Sequence, residues 1–341
     1  MSLIGSPYPQ SEIFEQMVAG AKNVLTNVLS VKPGENVLVV LDDSKKRIGK
    51  AFSDGATALG ASVDIYSLSN HQRPMAEIPV ELRSMLKDYK VIINTFYSDA
   101  QETPFRVKLL YEEIANNARV GHAPGITEDM MNKGPMNVDY KTVVDLTEKA
   151  LAAFKDATLV HITTKAGTDL TIDITDRHFE TDVRINCGSF GNLPAGEIWC
   201  GPIETSANGV LVCDGTIGDI GHVKKPIKMT LKDGRVVKLE CEDAEFAEKV
   251  RKLLTIDAMA DVIGELGIGT NPGARLTGNM LEDEKAGGTS HIAFGNNIDM
   301  PGGQNNSDTH RDFLFHKPTF EVVRKDGTKR VVMRDGVIQT K

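Results

Sequence analysis

The chain has 341 residues, of which 40% are hydrophobic and 25% are charged, and this length accommodates about two domains with hydrophobic cores of their own. This composition is typical of globular proteins and excludes disordered, collagen-like and coiled-coil chains. The formal net charge is −8, so no general positive field attracts nucleic acid, and we expect no nucleic-acid partner.

The sequence shows no membrane or export signal. Its apolar runs fall short of the ~18 residues that a membrane-spanning helix needs, and the amino-terminal segment lacks the basic and apolar regions of a secretory signal. We therefore expect a cytoplasmic protein without a membrane partner. The cysteines have no CxxC spacing, which predicts neither a disulfide framework nor a cysteine-bound zinc ion. They stand at Cys187, Cys200, Cys213 and Cys241.

Helix and strand patterns alternate in the first half of the chain. Apolar residues recur every three or four positions over 11–29, which predicts a helix. Asn36–Leu41 and Val91–Phe96 are short apolar runs, as in strands that are covered on both faces. With a helix ending near Leu59 and a strand over Ser62–Leu68, they predict a doubly wound parallel sheet. No glycine-rich phosphate-binding loop follows these strands, so we expect no dinucleotide.

The pattern changes after a stretch at 123–138 that is rich in proline, glycine, methionine and asparagine. Beyond it, short alternating segments are separated by glycine turns, and Asp233-Gly234 and Asp326-Gly327 are hairpin signals. The sequence thus predicts an α/β protein of two domains. Residues 1–140 form the doubly wound parallel-sheet domain, and residues 141–341 form a mainly antiparallel, β-rich domain.

A first indication of metal chemistry lies in Thr309–Phe315, which has the pattern of a strand. Residues i and i+2 of a strand point to the same side, so the imidazole of His310 and the carboxylate of Asp312 can meet on one metal ion. The alternative is that both side chains point to solvent from a half-exposed strand, which is the commoner case for this pattern taken alone.

Acidic and imidazole side chains are concentrated among glycine-rich turns near the carboxyl end, where functional sites are often built. They are Glu265, Glu282, Asp283, Glu284, His291, Asp299, Asp308, His310 and Asp312. The run 282–284 fits a solvated acidic loop as well as a ligand, and His291 fits a core histidine equally well. Glu197 and Glu265 lie among apolar and glycine residues, where a buried acid requires a partner or a metal unless it points outward.

Several short motifs follow one another in the second half of the chain. Asn192–Ile198 (NLPAGEI) is followed by Gly264-Glu265-Leu266, by Ser290–Gly295 (SHIAFG) and by the His310-x-Asp312 pair, and Lys165–Leu170 (KAGTDL) lies upstream. Their order resembles that of the thermophilic metallo-aminopeptidases of the T and S type. The resemblance covers most of the second half of the chain.

This resemblance implies a metal-dependent hydrolase that cleaves amino-terminal residues from short peptides with a water activated by two ions. The implied metal-binding positions are Glu197, Glu265, Glu284, His291, His310 and Asp312. Glu265 is then a bridge between the ions, and Glu284 is a further ligand or the catalytic general base. Such oxygen and nitrogen donors suit divalent zinc, cobalt, manganese or iron. The resemblance also implies a homodimer.

The chain departs from that family pattern at two places. Ile298 stands where the family has a tyrosine that serves as a hydrogen-bond donor to the developing oxyanion, and isoleucine has no such donor. The stretch between Glu284 and His291 is longer than in the family, so Glu282 is the alternative match for Glu284.

A more distant resemblance connects the chain to the 2,5-dihydroxypyridine dioxygenases, which share the segment at Lys165–Asp169 and the His310-x-Asp312 pair. Those enzymes bind one Fe²⁺, carry histidine where this chain has Glu265 and lack a match for Glu197. The alternative prediction is therefore a mononuclear Fe(II) ring-cleaving dioxygenase acting on a hydroxypyridine-like aromatic, in which His291 or Glu265 completes a facial triad. A third alternative is a metal-free binding module.

Overall fold

The structure, a computed structural model, describes residues 12–97 and 99–339. It divides into two units. Among the described residues, the first comprises those up to Val143 together with Asp182–Ala195, and the second comprises Val144–Thr181 and those from Gly196 onward. Among the described residues, no helix combines the length and the apolar character required to cross a membrane.

The helices and strands are numbered in chain order. The helices are α1 (Glu12–Asn27), α2 (Lys46–Ala58), α3 (Val80–Met85), α4 (Thr103–Ala115), α5 (Glu128–Asn132), α6 (Tyr140–Phe154), α7 (Ala244–Leu253) and α8 (Met280–Asp283). The strands are β1 (Asn36–Leu41), β2 (Ser62–Ser67), β3 (Val91–Thr95), β4 (Arg119–His122), β5 (Ala157–Thr163), β6 (Asp169–Asp173), β7 (Glu180–Thr181), β8 (Ser189–Asn192), β9 (Glu197–Cys200), β10 (Asn208–Cys213), β11 (Thr216–Ile217), β12 (Gly221–His222), β13 (Ile227–Lys232), β14 (Arg235–Glu240), β15 (Ile263–Gly269), β16 (Thr289–Gly295), β17 (His310–His316), β18 (Thr319–Arg324), β19 (Lys329–Arg334) and β20 (Val337–Ile338).

The first unit contains the predicted parallel sheet. Its strand order is β2-β1-β3-β4-β8, and all of these pairings are parallel. All five residues of β3 and all but the first of β1 are buried, because these apolar runs are covered on both faces. The fifth strand, β8, is supplied by the later segment 182–195. The sequence does not indicate this return, because the four residues of β8 (SFGN) form no apolar run.

A buried polar cluster lies in this first unit. The carboxylate of Glu113 accepts a hydrogen bond from Asn94 Nδ2 at 2.9 Å, and Asn94 Nδ2 lies 3.4 Å from His122 Nδ1. Burial raises the pKa of Glu113 to about 8. Burial, with the positive charge of Arg106, lowers the pKa of His122 to about 3. Both side chains are therefore neutral near pH 7.

The second unit contains two antiparallel sheets. The order in the eight-stranded sheet is β14-β13-β10-β6-β5-β18-β19-β20, and the order in the seven-stranded sheet is β12-β11-β17-β16-β15-β9-β7. Apolar side chains from both sheets form one hydrophobic core, which includes Ile172, Leu211, Ile227, Leu266, Ile292 and Phe313. The predicted α/β fold, with a parallel sheet followed by mainly antiparallel β-structure, is confirmed.

Both predicted Asp-Gly hairpins are present. Asp233 and Gly234 connect β13 to β14 with φ values of 49° and 80°, the left-handed conformations that a two-residue hairpin turn requires at both positions. A Cβ at Gly234 would lie 1.7 Å from the carbonyl oxygen of Glu204, so only glycine fits there. Asp326-Gly327 lies in the longer connection between β18 and β19, residues 325–328, where Gly327 has a φ of 82°.

Candidate metal centre

Five of the six predicted site residues lie on one face of the seven-stranded sheet. Leu266, Ile292 and Phe313 enter the hydrophobic core from β15, β16 and β17, so their sequence neighbours point to the opposite side. In register, Asp312 pairs with Ala293 and Ala293 pairs with Glu265. We call this side the site face, and it carries Glu197, Glu265, His291, His310 and Asp312.

A bulge at the start of β15 turns Glu265 toward the site face. Ile263 pairs with Phe294 and Glu265 pairs with Ala293, so Gly264 is an extra residue between them. Ile263 and Leu266 both belong to the core although three positions separate them, because the bulge shifts the alternation by one residue. A Cβ at Gly264 would lie 2.6 Å from the Gly295 carbonyl oxygen, so glycine is required here.

Glycines in β15 leave room for the imidazole of His291. A Cβ at Gly267 would lie 2.0 Å from Nε2 of His291, and a Cβ at Gly269 would lie 2.2 Å from the Ala286 carbonyl oxygen. The neighbouring groups therefore pack directly on the backbone of β15. Alternating glycine around an acid, as in Gly264–Gly269 (GELGIG), is the sequence signal for this covered strand.

Three side chains converge on a common point at the exposed side of the cluster. His310 Nε2 lies 3.2 Å from Glu265 Oε2 and 3.5 Å from Asp312 Oδ1, and the ligand atoms of the three residues lie within 4.8 Å of one another. His310 Nδ1 donates a hydrogen bond to the Asn296 carbonyl oxygen at 2.7 Å. This bond orients the ring and leaves Nε2 available to a metal ion. Both side chains face Glu265, although His310 is also partly exposed to solvent.

His291 is buried next to this triad. Its Nε2 donates to Glu265 Oε1 at 3.0 Å and lies 3.8 Å from Glu197 Oε2. Its Nδ1 is buried and makes no hydrogen bond within the described part of the chain. Glu197 and Glu265 are both buried, so neither points outward to solvent. His291 is thus a buried histidine of the site face that borders the cluster.

The next predicted residue, Glu284, follows α8 and is paired with a lysine that the sequence did not single out. Lys285 is fully buried, and its Nζ donates to Glu284 Oε1 at 2.7 Å and to Glu197 Oε1. Lysine is rarely buried without such partners. The sequence signal for this residue is weak, because a lysine after acidic residues is typical of a solvated surface.

The acidic run 282–284 is not a solvated loop, since all three residues are buried. Glu282 pairs with Arg275, whose Nε lies 2.9 Å from Oε1. Asp283 accepts hydrogen bonds from the backbone nitrogens of Thr277 at 2.7 Å and Gly278 at 2.9 Å, and from the Thr216 hydroxyl. Glu282 and Glu284 are the two candidate matches for one metal-binding position of the family. Glu284 is the one that shares a lysine with Glu197.

Opposite charges in this buried cluster shift the pKa of its members. Burial opposes ionisation of Glu265 and Asp312, but hydrogen bonds and charges from the histidines outweigh it and lower both pKa values. Burial also opposes charging of His291, yet its bond to Glu265 and the nearby carboxylates raise its pKa to about 9. The carboxylates raise the pKa of His310 as well, despite burial. For Glu284, burial raises the pKa.

The chemistry of these donors fits a divalent metal ion. The carboxylates of Glu265 and Asp312 stay ionised, because their pKa values are lowered. The Nε2 atom of His310 faces both of them. A bound cation would displace the protons that the histidines hold against these carboxylates. Glu265, His310 and Asp312 offer oxygen and nitrogen donors without a thiolate, which suits zinc, cobalt, manganese or iron. These three residues could therefore hold an ion.

Ile298 follows β16 in the loop that leads to β17. Its side chain is 48% exposed and has no hydrogen-bond donor, and its backbone nitrogen donates to Asn296 Oδ1 at 3.1 Å. The loop is held by Asn305, whose Nδ2 donates to the Gly295 carbonyl oxygen at 2.6 Å. The family tyrosine is thus replaced by an exposed apolar side chain.

Comparison with known sequences connects this chain to metalloproteases. A sequence profile of the thermophilic metalloprotease family (M29) matches residues 139–338. Aminopeptidase PepS from Streptococcus thermophilus is 28% identical over 199 residues, which is 51% of this chain. The matched stretch is 47% of PepS, so the chain spans about half the length of this curated relative.

Two solved structures share the whole fold. The 2,5-dihydroxypyridine dioxygenase from Pseudomonas putida KT2440 has a TM-score of 0.75 and 19% identity, over 96% of this chain and 98% of that one. Wild-type AmpT from Thermus thermophilus has a TM-score of 0.70 and 17% identity, over 95% and 99%. At these identities the similarity shows a common fold.

Proposed function

Because the chain belongs to the thermophilic metalloprotease (M29) family, we propose that it is a metal-dependent aminopeptidase that removes amino-terminal residues from short peptides. The observation that carries the proposal is the convergence of Glu265, His310 and Asp312 within the part of the chain that matches the family. The relative PepS is an aminopeptidase, which supports the choice of amino-terminal cleavage.

The triad would hold a divalent ion at the site face. When bound, such an ion polarises a substrate carbonyl and acidifies a water molecule. The hydrogen bond from His310 Nδ1 to the Asn296 carbonyl oxygen fixes the ring for binding through Nε2. The family resemblance predicts two ions, and the triad accounts for one of them. Lys285 contacts Glu197 and Glu284, two of the residues that would bind the second ion.

Two further carboxylates have roles in this proposal. Glu284 lies outside the triad but is buried in the same cluster, and we assign it the role of the general base that takes a proton from the attacking water. Glu197 holds Glu284 in place through Lys285, whose ammonium contacts both carboxylates. Recognition of a free amino terminus is proposed from the aminopeptidase relative PepS.

The experiment is hydrolysis of a panel of aminoacyl amides and short peptides by metal-free protein, before and after addition of Zn²⁺, Co²⁺ or Mn²⁺. We expect activity only with metal and only on free amino termini, with N-acetylated peptides left intact. His310→Ala should abolish both metal binding and activity. The matched control is His316→Ala in the same strand, because His316 pairs with Asp214 away from the triad. Equal cleavage of acetylated peptides would contradict the proposal.

The mononuclear dioxygenase remains the alternative prediction. Its fold is shared, but the triad found here has one histidine and two carboxylates, whereas the facial triad of iron oxygenases has two histidines and one carboxylate. Consumption of dioxygen by the iron-loaded protein with a dihydroxypyridine, together with no amide hydrolysis, would favour this alternative.

We further propose that the protein is cytoplasmic and has no nucleic-acid partner, as the composition predicts, and that it is a homodimer, as the family resemblance implies. Light scattering on the purified full chain measures the mass in solution against the 37.1 kDa of one chain. A monomeric mass at assay concentration would contradict the dimer and would leave the proposed chemistry unaffected.

A further inference from the structure

Lys285 brings a positive charge to the place where a second metal ion would bind. Its ammonium is fully buried and contacts two of the predicted metal ligands, Glu197 and Glu284. The partner oxygens are Oε1 of each carboxylate, at 2.7 Å in the case of Glu284. Buried ammonium and carboxylate groups hold each other in place, because either one alone would be costly to desolvate.

Three of the four remaining predicted ligands form the triad. Glu265, His310 and Asp312 bring their ligand atoms together at distances of 3.2 and 3.5 Å from the His310 nitrogen. Lys285 contacts the other two carboxylates, Glu197 and Glu284. Five of the six predicted positions thus separate into three that face a common point and two that face an ammonium.

His291 lies between the two groups. Its Nε2 is 3.0 Å from Glu265 Oε1 of the triad and 3.8 Å from Glu197 Oε2. The ring packs on the backbone of Gly267 and acts as a positioning residue for Glu265. A second ion would need the oxygens that Glu197 and Glu284 give to the Lys285 ammonium.

We propose that the Lys285 ammonium takes the place of the second cation, so that the centre holds one divalent ion on Glu265, His310 and Asp312. This inference rests on the proposed function for the presence of that first ion. The Lys285 ammonium and a second divalent ion would compete for the same oxygens of Glu197 and Glu284. Their like charges would also repel each other. Glu197 and Glu284 are then satisfied without a metal.

The test is the number of ions bound by the metal-free full chain, measured by calorimetric titration with Zn²⁺ and by elemental analysis after dialysis. We expect one ion per wild-type chain and none in His310→Ala. Lys285→Ala removes the ammonium and leaves space between two carboxylates, so we expect two ions per chain. The matched control is Lys325→Ala, which removes a surface lysine paired with Asp176 and should stay at one ion.

Electron paramagnetic resonance of the Mn²⁺-loaded wild type gives a second readout that does not depend on a folded Lys285 variant. A single isolated Mn²⁺ supports the inference, and a spin-coupled pair overturns it. Two ions per wild-type chain, or one ion in a folded Lys285→Ala, would also overturn it while leaving the proposed aminopeptidase intact. A wild type that binds no divalent ion would instead refute the proposed function.

Discussion

The close packing of His291 on Gly267 makes Gly267→Ala a strong test of the site geometry. The added methyl group would lie 2.0 Å from Nε2 and 2.2 Å from Cε1 of the imidazole, so the ring must retreat by roughly 1.5 Å to reach ordinary contact distance. That movement breaks the 3.0 Å hydrogen bond to Glu265. A lost charge-assisted bond plus overpacking lowers the free energy of unfolding by about 3–5 kcal/mol.

Urea unfolding of the metal-free protein and titration with Zn²⁺ measure the two consequences of this change. Besides the lower stability, we expect metal affinity to fall roughly 10–100-fold, as when a residue that orients a ligand is lost. Gly287→Ala is the matched control, because a methyl group there would come no closer than 3.5 Å to its neighbours. A Gly267→Ala protein with wild-type stability and affinity would refute the placement of the imidazole over this strand.

Three more outcomes follow from the structure. Burial raises the pKa of Glu113 to about 8, so the free energy of unfolding falls by about 1.4 kcal/mol per pH unit as pH rises from about 4.5 toward 8. Glu113→Gln should remove this loss, measured by thermal unfolding across that pH range. Glu112→Gln, which changes a half-exposed ion pair, should not. Ile298→Tyr restores a donor near the site face and should raise kcat on aminoacyl amides at least tenfold over Ile298→Phe if the donor reaches the oxyanion; equal rates would show that it does not. Asp283→Ala leaves the Thr277 and Gly278 nitrogens without their acceptor and should lower the free energy of unfolding by about 3–5 kcal/mol, and an unchanged urea midpoint would contradict this.

The sequence predicts the fold well where hydrophobic patterns are strong. Continuous apolar runs such as Asn36–Leu41 identify the buried parallel strands, and the Asp-Gly pairs identify hairpins, because both signals are local. The short strand at Ser189–Asn192 was missed, since its pairing with Arg119–His122 depends on partners 70 positions away rather than on its own composition.

The candidate site is predictable only in part, because only some of its residues carry a local sequence signal. The His310-x-Asp312 pair follows from strand alternation, and Glu197 and Glu265 stand out as acids among apolar residues. Lys285 could not be found, because its burial results from two carboxylates that come from other parts of the chain. The sequence likewise cannot separate a solvated acidic loop from Asp283, whose partners include Thr216.

The bulge at Gly264 means that the side of the sheet on which chemistry occurs depends on residue count as well as on residue type. If Gly264 were an ordinary strand residue rather than a bulge, Glu265 and Gly267 would follow the phase of Ile263 into the hydrophobic core, and Leu266 would emerge among the carboxylates. Strict alternation from Ile263 would thus turn the strand inside out locally while every candidate ligand stayed in the chain. Matching ligand residues in a related sequence therefore predict this site only where the strand before the glutamate either keeps the bulge or lacks the extra residue.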